Sequence, residues 1–208
     1  SLPQHSQRWR HAAPRIAATF LICLIVNSPL AAEFAVRPVN LTYLSRRADI
    51  IVQGQVLKVR HVPLPNYPNV TTVEVTMSVD RGLRGVKGSR YTFREVHVGF
   101  RSSEGKRSYR VGQRLFLFLP SPSQYGLSSP IGMGQGRFLI ASDPTGISRL
   151  VNEHGNAGLF RDVEQDLARA GKKLTPSQRK IVSIKKGPVP LEEFVSLVQD
   201  LSTLPRIR

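Results

Sequence analysis

The chain has 208 residues, 40% of them hydrophobic, and carries 30 Lys and Arg against 14 Asp and Glu, a formal net charge of +16. That length supports one sizeable core and is short for two full domains. A single cysteine, Cys23, excludes a disulfide scaffold.

Residues 1–32 contain Arg8, Arg10 and Arg15 but no acid, the first being Glu33. The apolar run Ile16 to Val26 has the length of a signal-peptide h-region and falls short of a spanning helix. Pro29 then breaks the helix, and Ala31 and Ala32 offer small side chains to a signal peptidase. Residues 1–32 are therefore expected to be a signal peptide cleaved after Ala32; an uncleaved anchor or a buried helix is the competing reading. Cys23 follows Ile22 inside the apolar run, where lipid modification would need a small residue. The mature chain is expected to be free of cysteine, not membrane-spanning, and periplasmic or secreted, by bacterial export. Cleavage removes three basic residues and no acidic one, so the mature surface stays strongly basic. Such a field attracts polyanions: lipopolysaccharide, acidic polysaccharide, anionic lipid head groups or extracellular nucleic acid. Since no block of five like charges occurs, a merely solubilising surface is the alternative.

After Glu33, LTYLSRR reads as a helical turn with Leu41 and Leu44 toward the core and Arg46 and Arg47 in solvent. RADIIVQGQVLKVR supplies a strand: Ile50, Val52, Gly54 and Val56 share one face, while Leu57 and Val59 share the other. A change of inward parity at a glycine signals a β-bulge or a sharp bend. Pro63, Pro65 and Pro68 are expected to end that ladder. Val73, Val75, Met77 and Val79 then alternate with Thr72, Glu74, Thr76, Ser78 and Asp80, the period of a half-buried strand. RGLRGVKGSR reads as a turn, and YTFREVHVGF as a third strand with Tyr91 and Phe93 on one face. The polar loop FRSSEGKRS precedes Leu115 to Leu119, a continuous apolar run that asks for cover on both faces. A Ser- and Pro-rich loop from Pro120 to Pro130 leads to strands at Arg137 to Ala141 and in GISRLVNE.

No helical pattern of ten or more residues separates these strands, and parallel strands would need such crossovers. The expected fold is mainly β: a five- or six-stranded antiparallel OB-like barrel over residues 33–152, closed or partly open, with a C-terminal amphipathic helix packed on it. Residues 153–189 read as a charged, partly mobile segment with some helical character from Asp162 to Ala170. In residues 190–203, Leu191, Phe194, Val195, Val198 and Leu201 recur at helical spacing, and Pro190 suits a first turn. That stripe either packs on the barrel or engages a partner.

ADIIVQGQVLKV, TTVEVTMSV, GLRGVKG and YRVGQRLFLFL together resemble the netrin-like modules and the amino-terminal domain of the tissue inhibitors of metalloproteinases, over roughly residues 41–141. The resemblance implies an OB-type barrel with helices packed on it, as in an uncharacterised exported bacterial member without cysteines. It carries over no inhibitory residue, because those inhibitors set an amino-terminal cysteine against the target's zinc and this chain has no cysteine after Glu33.

Chemistry-bearing constellations are scarce. His61, His97 and His154 are isolated, without metal-ligand spacing. Ser128 and Ser148 lack the flanking glycines of a nucleophile elbow. Gly132, Gly134 and Gly136 are followed by Arg137 and a strand where a phosphate loop needs a helix, so they read as a barrel bend. Asp162, Glu164 and Asp166 fall in the charged segment, and Glu192 and Glu193 complement the dipole of the tail helix. No catalytic, metal or cofactor site is expected.

Two non-enzymatic readings follow. In one, the chain binds an unknown protein or cell-envelope component through its loops, with Tyr67 and Tyr125 as contacts. In the other, a basic barrel face binds polyanions, with Arg94, Arg107, Tyr109 and Arg110 as contacts and Tyr91 and Phe93 beside them for stacking. Core packing is the plainer reading of those strand aromatics.

Overall fold

The computed structural model describes residues 37–96 and 109–207. Helix α1 (Leu41–Arg47) opens at Asn40, whose side chain accepts from the Tyr43 N–H at 2.8 Å. As expected, it buries Leu41 and Leu44 and leaves Arg47 exposed.

The strands are β1 (Ile50–Leu64), β2 (Tyr67–Ser78), β3 (Arg81–Arg84), β4 (Arg90–Val96), β5 (Arg114–Leu119), β6 (Arg137–Ser142), β7 (Ser148–Asn152) and β8 (Val189–Pro190). Every pairing is antiparallel, in the order β4-β2-β1-β5-β6-β7-β8, with β3 also on β1. This corrects the closed barrel of five or six strands: among the described residues the sheet has eight strands and two open ends. Strand β1 is the pivot, its first half joined to β5 and β3 and its second half to β2. Between the halves, a Cβ at Gly54 would lie 1.7 Å from the Ser78 carbonyl oxygen, so the backbones cross where only glycine fits. The parity change expected at this glycine occurs just beyond it, at a register shift between Val56 and Lys58 that turns Leu57 outward.

The prolines do not end the ladder. Strand β1 runs through Pro63 to Leu64, Pro65 and Asn66 make the turn, and β2 begins at Tyr67. Asn66 takes the left-handed conformation, with φ 65°. Beyond Gln55, β1 pairs with β2 alone among the described residues, so Pro63 lies on an edge, where a missing N–H is tolerated.

Strand β5 has both faces covered, as its apolar run requires. Leu115, Leu117 and Leu119 meet Val52, Val56, Val73, Val75, Met77 and Phe93 in one cluster. Phe116 and Phe118 meet Phe138, Ile140, Leu150 and the helices in a second. The molecule is thus layered: the β1-β2-β4 arm, a first apolar layer, β5 to β7, a second apolar layer, and helices.

Those helices are α2 (Val163–Arg169), α3 (Pro176–Val182) and α4 (Leu191–Leu201). In α4 the stripe Leu191, Phe194, Val195, Val198 and Leu201 is buried, so it packs on the sheet. Phe194 stands between Phe116 and Phe138, with ring centroids 5.3 and 5.2 Å away. Truncating such an aromatic to alanine costs about 3–5 kcal/mol.

Residues 153–189 do not stand apart from the core as a charged segment. They supply Leu159, Phe160, Val163, Leu167, Leu174, Ile181 and Val189 to the helix-side cluster, and β8 joins β7. The domain boundary expected at 152 therefore falls inside one shared core. Helix α3 starts with a capping box: Thr175 Oγ1 accepts from the Gln178 N–H, and the Gln178 side chain accepts from the Thr175 N–H. The buried Gln178 amide also donates to Asp200 on α4 at 2.7 Å.

Arg84 fastens the two ends of this unit. Its guanidinium donates to the carbonyls of Ser45 and Ala48 at the end of α1 and of Ser202 at the end of α4, at 2.5, 2.8 and 2.7 Å. Helix C-termini present unpaired carbonyls and partial negative charge, which a cation satisfies. Burial, and secondarily Arg206, hold the Arg84 pKa below its ordinary value.

A candidate polyanion-binding face on the three-stranded arm

Alternation sorts the side chains of the arm. Val73, Val75 and Met77 of β2 and Tyr91 and Phe93 of β4 turn into the apolar layer. The opposite face of β2 carries Glu74, Thr76 and Ser78, paired with Arg94, Thr92 and Arg90 of β4. On β1, Arg60 lies opposite Glu74 and Lys58 opposite Thr76. Cross-strand partners share a face, so Lys58, Arg60, Arg90 and Arg94 stand together with one carboxylate among them.

That carboxylate is gripped from both sides. Arg60 Nε donates to Glu74 Oε1 at 3.0 Å, with a second contact from the same guanidinium, and Arg94 donates to Oε2 at 2.7 Å. The hydrogen bonds from Arg60 and then Arg94 hold the Glu74 pKa below the ordinary carboxylate range. Glu74 thus fixes both guanidiniums while cancelling only one of the four charges. Among the described residues Lys58 and Arg90 have no carboxylate partner, and Thr76 and Thr92 share a hydroxyl bond of 2.9 Å between the charged rows.

The expected contact residues separate accordingly. Arg94 lies on this face. Tyr109 does not: it is 7% exposed, its ring packs against Phe93 at 5.5 Å, and its hydroxyl donates to Glu95 at 3.2 Å. Burial, and then the Glu95 charge, raise the Tyr109 pKa well above normal. The Arg137 guanidinium covers the same ring at 4.2 Å. Tyr109 therefore bridges β4 toward β6 through side chains where, among the described residues, no backbone ladder closes the sheet. Tyr91 and Phe93 stack on each other at the apolar layer, Phe93 buried and Tyr91 half-buried. Arg110 is exposed in the turn before β5, while Arg107 and His97 lie outside the described residues.

Tyr67 and Tyr125 are brought together. Their rings meet edge to face at 5.8 Å, and they are 48% and 47% exposed. The loop carrying Tyr125 is tied to the arm by the Ser128 N–H, which donates to the Arg94 carbonyl at 2.7 Å. Gly132 and Gly134 take positive φ in the turn before β6, not at a bend within a strand.

Among the described residues no group of three His, Cys, Asp or Glu side chains is placed to hold a metal, and no helix is long and apolar enough to cross a membrane. An open groove of about 360 Å³ runs between β3 and α4, lined by Arg81, Gly82, Leu83, Val195, Gln199 and Ser202. Arg81 there holds Glu192 in a two-pronged ion pair at 2.7 and 2.8 Å. No protein-family model matches the chain, and no curated protein matches it.

Proposed function

We propose that the chain is an exported, non-enzymatic binding module that holds extended polyanions on the outer face of its β1-β2-β4 arm. The observation that carries this reading is the arrangement of Lys58, Arg60, Arg90 and Arg94 around Glu74. Four cations face solvent with one carboxylate, which is itself neutralised by two of them. Among the described residues of β1, β2 and β4 that share this face none is aromatic, and Thr76, Ser78 and Thr92 line it with hydroxyls, features suited to reading charge and not bases. The netrin-like, OB-type resemblance belongs to this proposal, supported by a long bent first strand shared between two sets of partners.

The test is a titration of residues 33–208 with heparin as the probe polyanion. Binding should fall on the order of tenfold or more between about 50 and 200 mM salt, as counterion release requires. The variant pair Lys58→Glu and Arg90→Glu should remove the part of the binding that the arm supplies, since neither side chain has a carboxylate partner among the described residues. No binding at low salt would overturn the reading.

A second reading rests on a different observation. The half-exposed Tyr67–Tyr125 pair has Val70 and Val96 exposed on the same arm, an apolar rim suited to a protein or envelope component. Binding there would survive high salt, because burial is little affected by screening.

A further inference from the structure

We infer that the protein is divalent toward polyanions: a second cationic surface, on α3 and its flanking loops, faces away from the sheet-arm surface, so that one molecule joins two polyanion chains. This rests on the polyanion reading of the arm and extends it.

The second surface is built from one short stretch of chain. Lys172, Lys173, Arg179, Lys180, Lys185 and Lys186 follow one another between α2 and β8. Carboxylates take up only part of that charge: Lys172 pairs with Asp200 at 3.3 Å and Arg179 approaches Glu164 at 3.8 Å. Lys173, Lys180, Lys185 and Lys186 are exposed and have no carboxylate partner among the described residues. The capping box and buried Ile181 hold α3 with its apolar side on the core, which turns Arg179 and Lys180 outward. Lys186 lies along the backbone at Gly155, where an added Cβ would sit 3.1 Å from its side chain.

The layering sets the two surfaces apart. Ile181 belongs to the apolar layer on the Phe116 and Phe118 side of β5, whereas the inward residues of the arm belong to the layer on the Leu115 and Leu117 side. One sheet-to-sheet spacing of about 10 Å and one helix diameter of about 10 Å therefore lie between them. A single flexible chain reaches both only by wrapping around the molecule, while two chains reach them directly.

A sandwich assay decides the matter. Residues 33–208 are captured on immobilised heparin at low salt, washed, and offered fluorescent heparin from solution. Wild type should capture the second chain. Lys58→Glu with Arg90→Glu, and separately Lys180→Glu with Lys185→Glu, should each still bind the immobilised chain but capture about tenfold less from solution, since each keeps one of two sites. The four-substitution variant should bind neither, with thermal melts verifying that all variants fold. If wild type binds the immobilised chain but captures no second one, divalency is overturned and the arm reading stands; if the α3 variant captures the second chain as wild type does, the assignment of the second surface to α3 is overturned. Loss of all binding in the α3 variant, with the arm variant unchanged, would overturn both.

Discussion

The carbonyl oxygen of Ser78 occupies the space that a side chain on Gly54 would need, 1.7 Å from an ideal Cβ. The end of β2 therefore passes over the middle of β1, and Asp80 N–H continues the contact by donating to the Gln53 carbonyl at 2.9 Å. Gly54→Ala should destabilise the protein by more than about 3 kcal/mol, because backbone rather than a yielding side chain blocks the methyl group. Urea unfolding followed by far-UV circular dichroism would measure it. A loss under about 1 kcal/mol would contradict the crossing.

The register of β2 gives a paired expectation. Val75 is fully buried, whereas Thr76 lies on the charged face opposite Thr92. Val75→Asp should cost several kcal/mol by burying an unpaired carboxylate. Thr76→Asp should cost about 1 kcal/mol or less, yet it should weaken heparin binding by placing negative charge among Lys58, Arg90 and Arg94. Chemical denaturation and a low-salt titration of the same two variants separate stability from binding.

Arg84 makes three bonds that no shorter or neutral side chain can reproduce. Arg84→Met should lower stability by about 3 kcal/mol, since charged hydrogen bonds to buried carbonyls are the stronger kind. Arg84→Lys should recover only part of this, because an ammonium lacks the planar fork that reaches both helix ends. A differential scanning calorimetry series over wild type and the two variants provides the comparison.

Acid should act through Glu74. Its folded pKa lies below the unfolded value of about 4.3, so its contribution to stability is complete above that value and is lost as pH falls through the folded pKa. Glu74→Gln should therefore be less stable than wild type at pH 6, with the difference shrinking toward pH 3. Urea midpoints at the two pH values give the sign directly. A gap that widened in acid would contradict the two-arginine grip.

The legible parts of the fold were those where burial imposes a simple period. The two-residue alternation of Val73, Val75 and Met77, the unbroken run Leu115 to Leu119, and the Phe194 stripe each reported its own environment. Pro63 misled, because a proline is excluded from a strand only where its missing N–H faces a neighbour, and sequence does not say which edge is free. Leu159, Phe160, Val163, Leu167, Leu174 and Ile181 were obscured by surrounding charge and irregular spacing, although Thr175 and Gln178 already formed a capping-box pattern that marks a helix start.

The charged face was half legible. Strand parity puts Arg90, Thr92 and Arg94 on the side of β4 opposite Tyr91 and Phe93. A surface combining those aromatics with Arg94 therefore conflicted with the period of the strand itself. What no local pattern could supply was the register placing Arg60 and Arg94 on either side of Glu74. The three bonds of Arg84 left no sequence signal at all, since their acceptors are backbone carbonyls.

The clasp formed by Arg84 has a bearing on the order of events during synthesis. It joins Ser45 and Ala48 near the start of the described unit to Ser202 near its end, and Arg46 and Asp49 reach the same terminal stretch through the Pro205 carbonyl and Arg206. Translation adds residues far more slowly than local structure forms, so the early strands can pair before α4, which covers part of their helix-side apolar surface, has been made. A chain made only as far as β8 therefore has Phe116 and Phe138 without the Phe194 ring that stands between them in the finished fold.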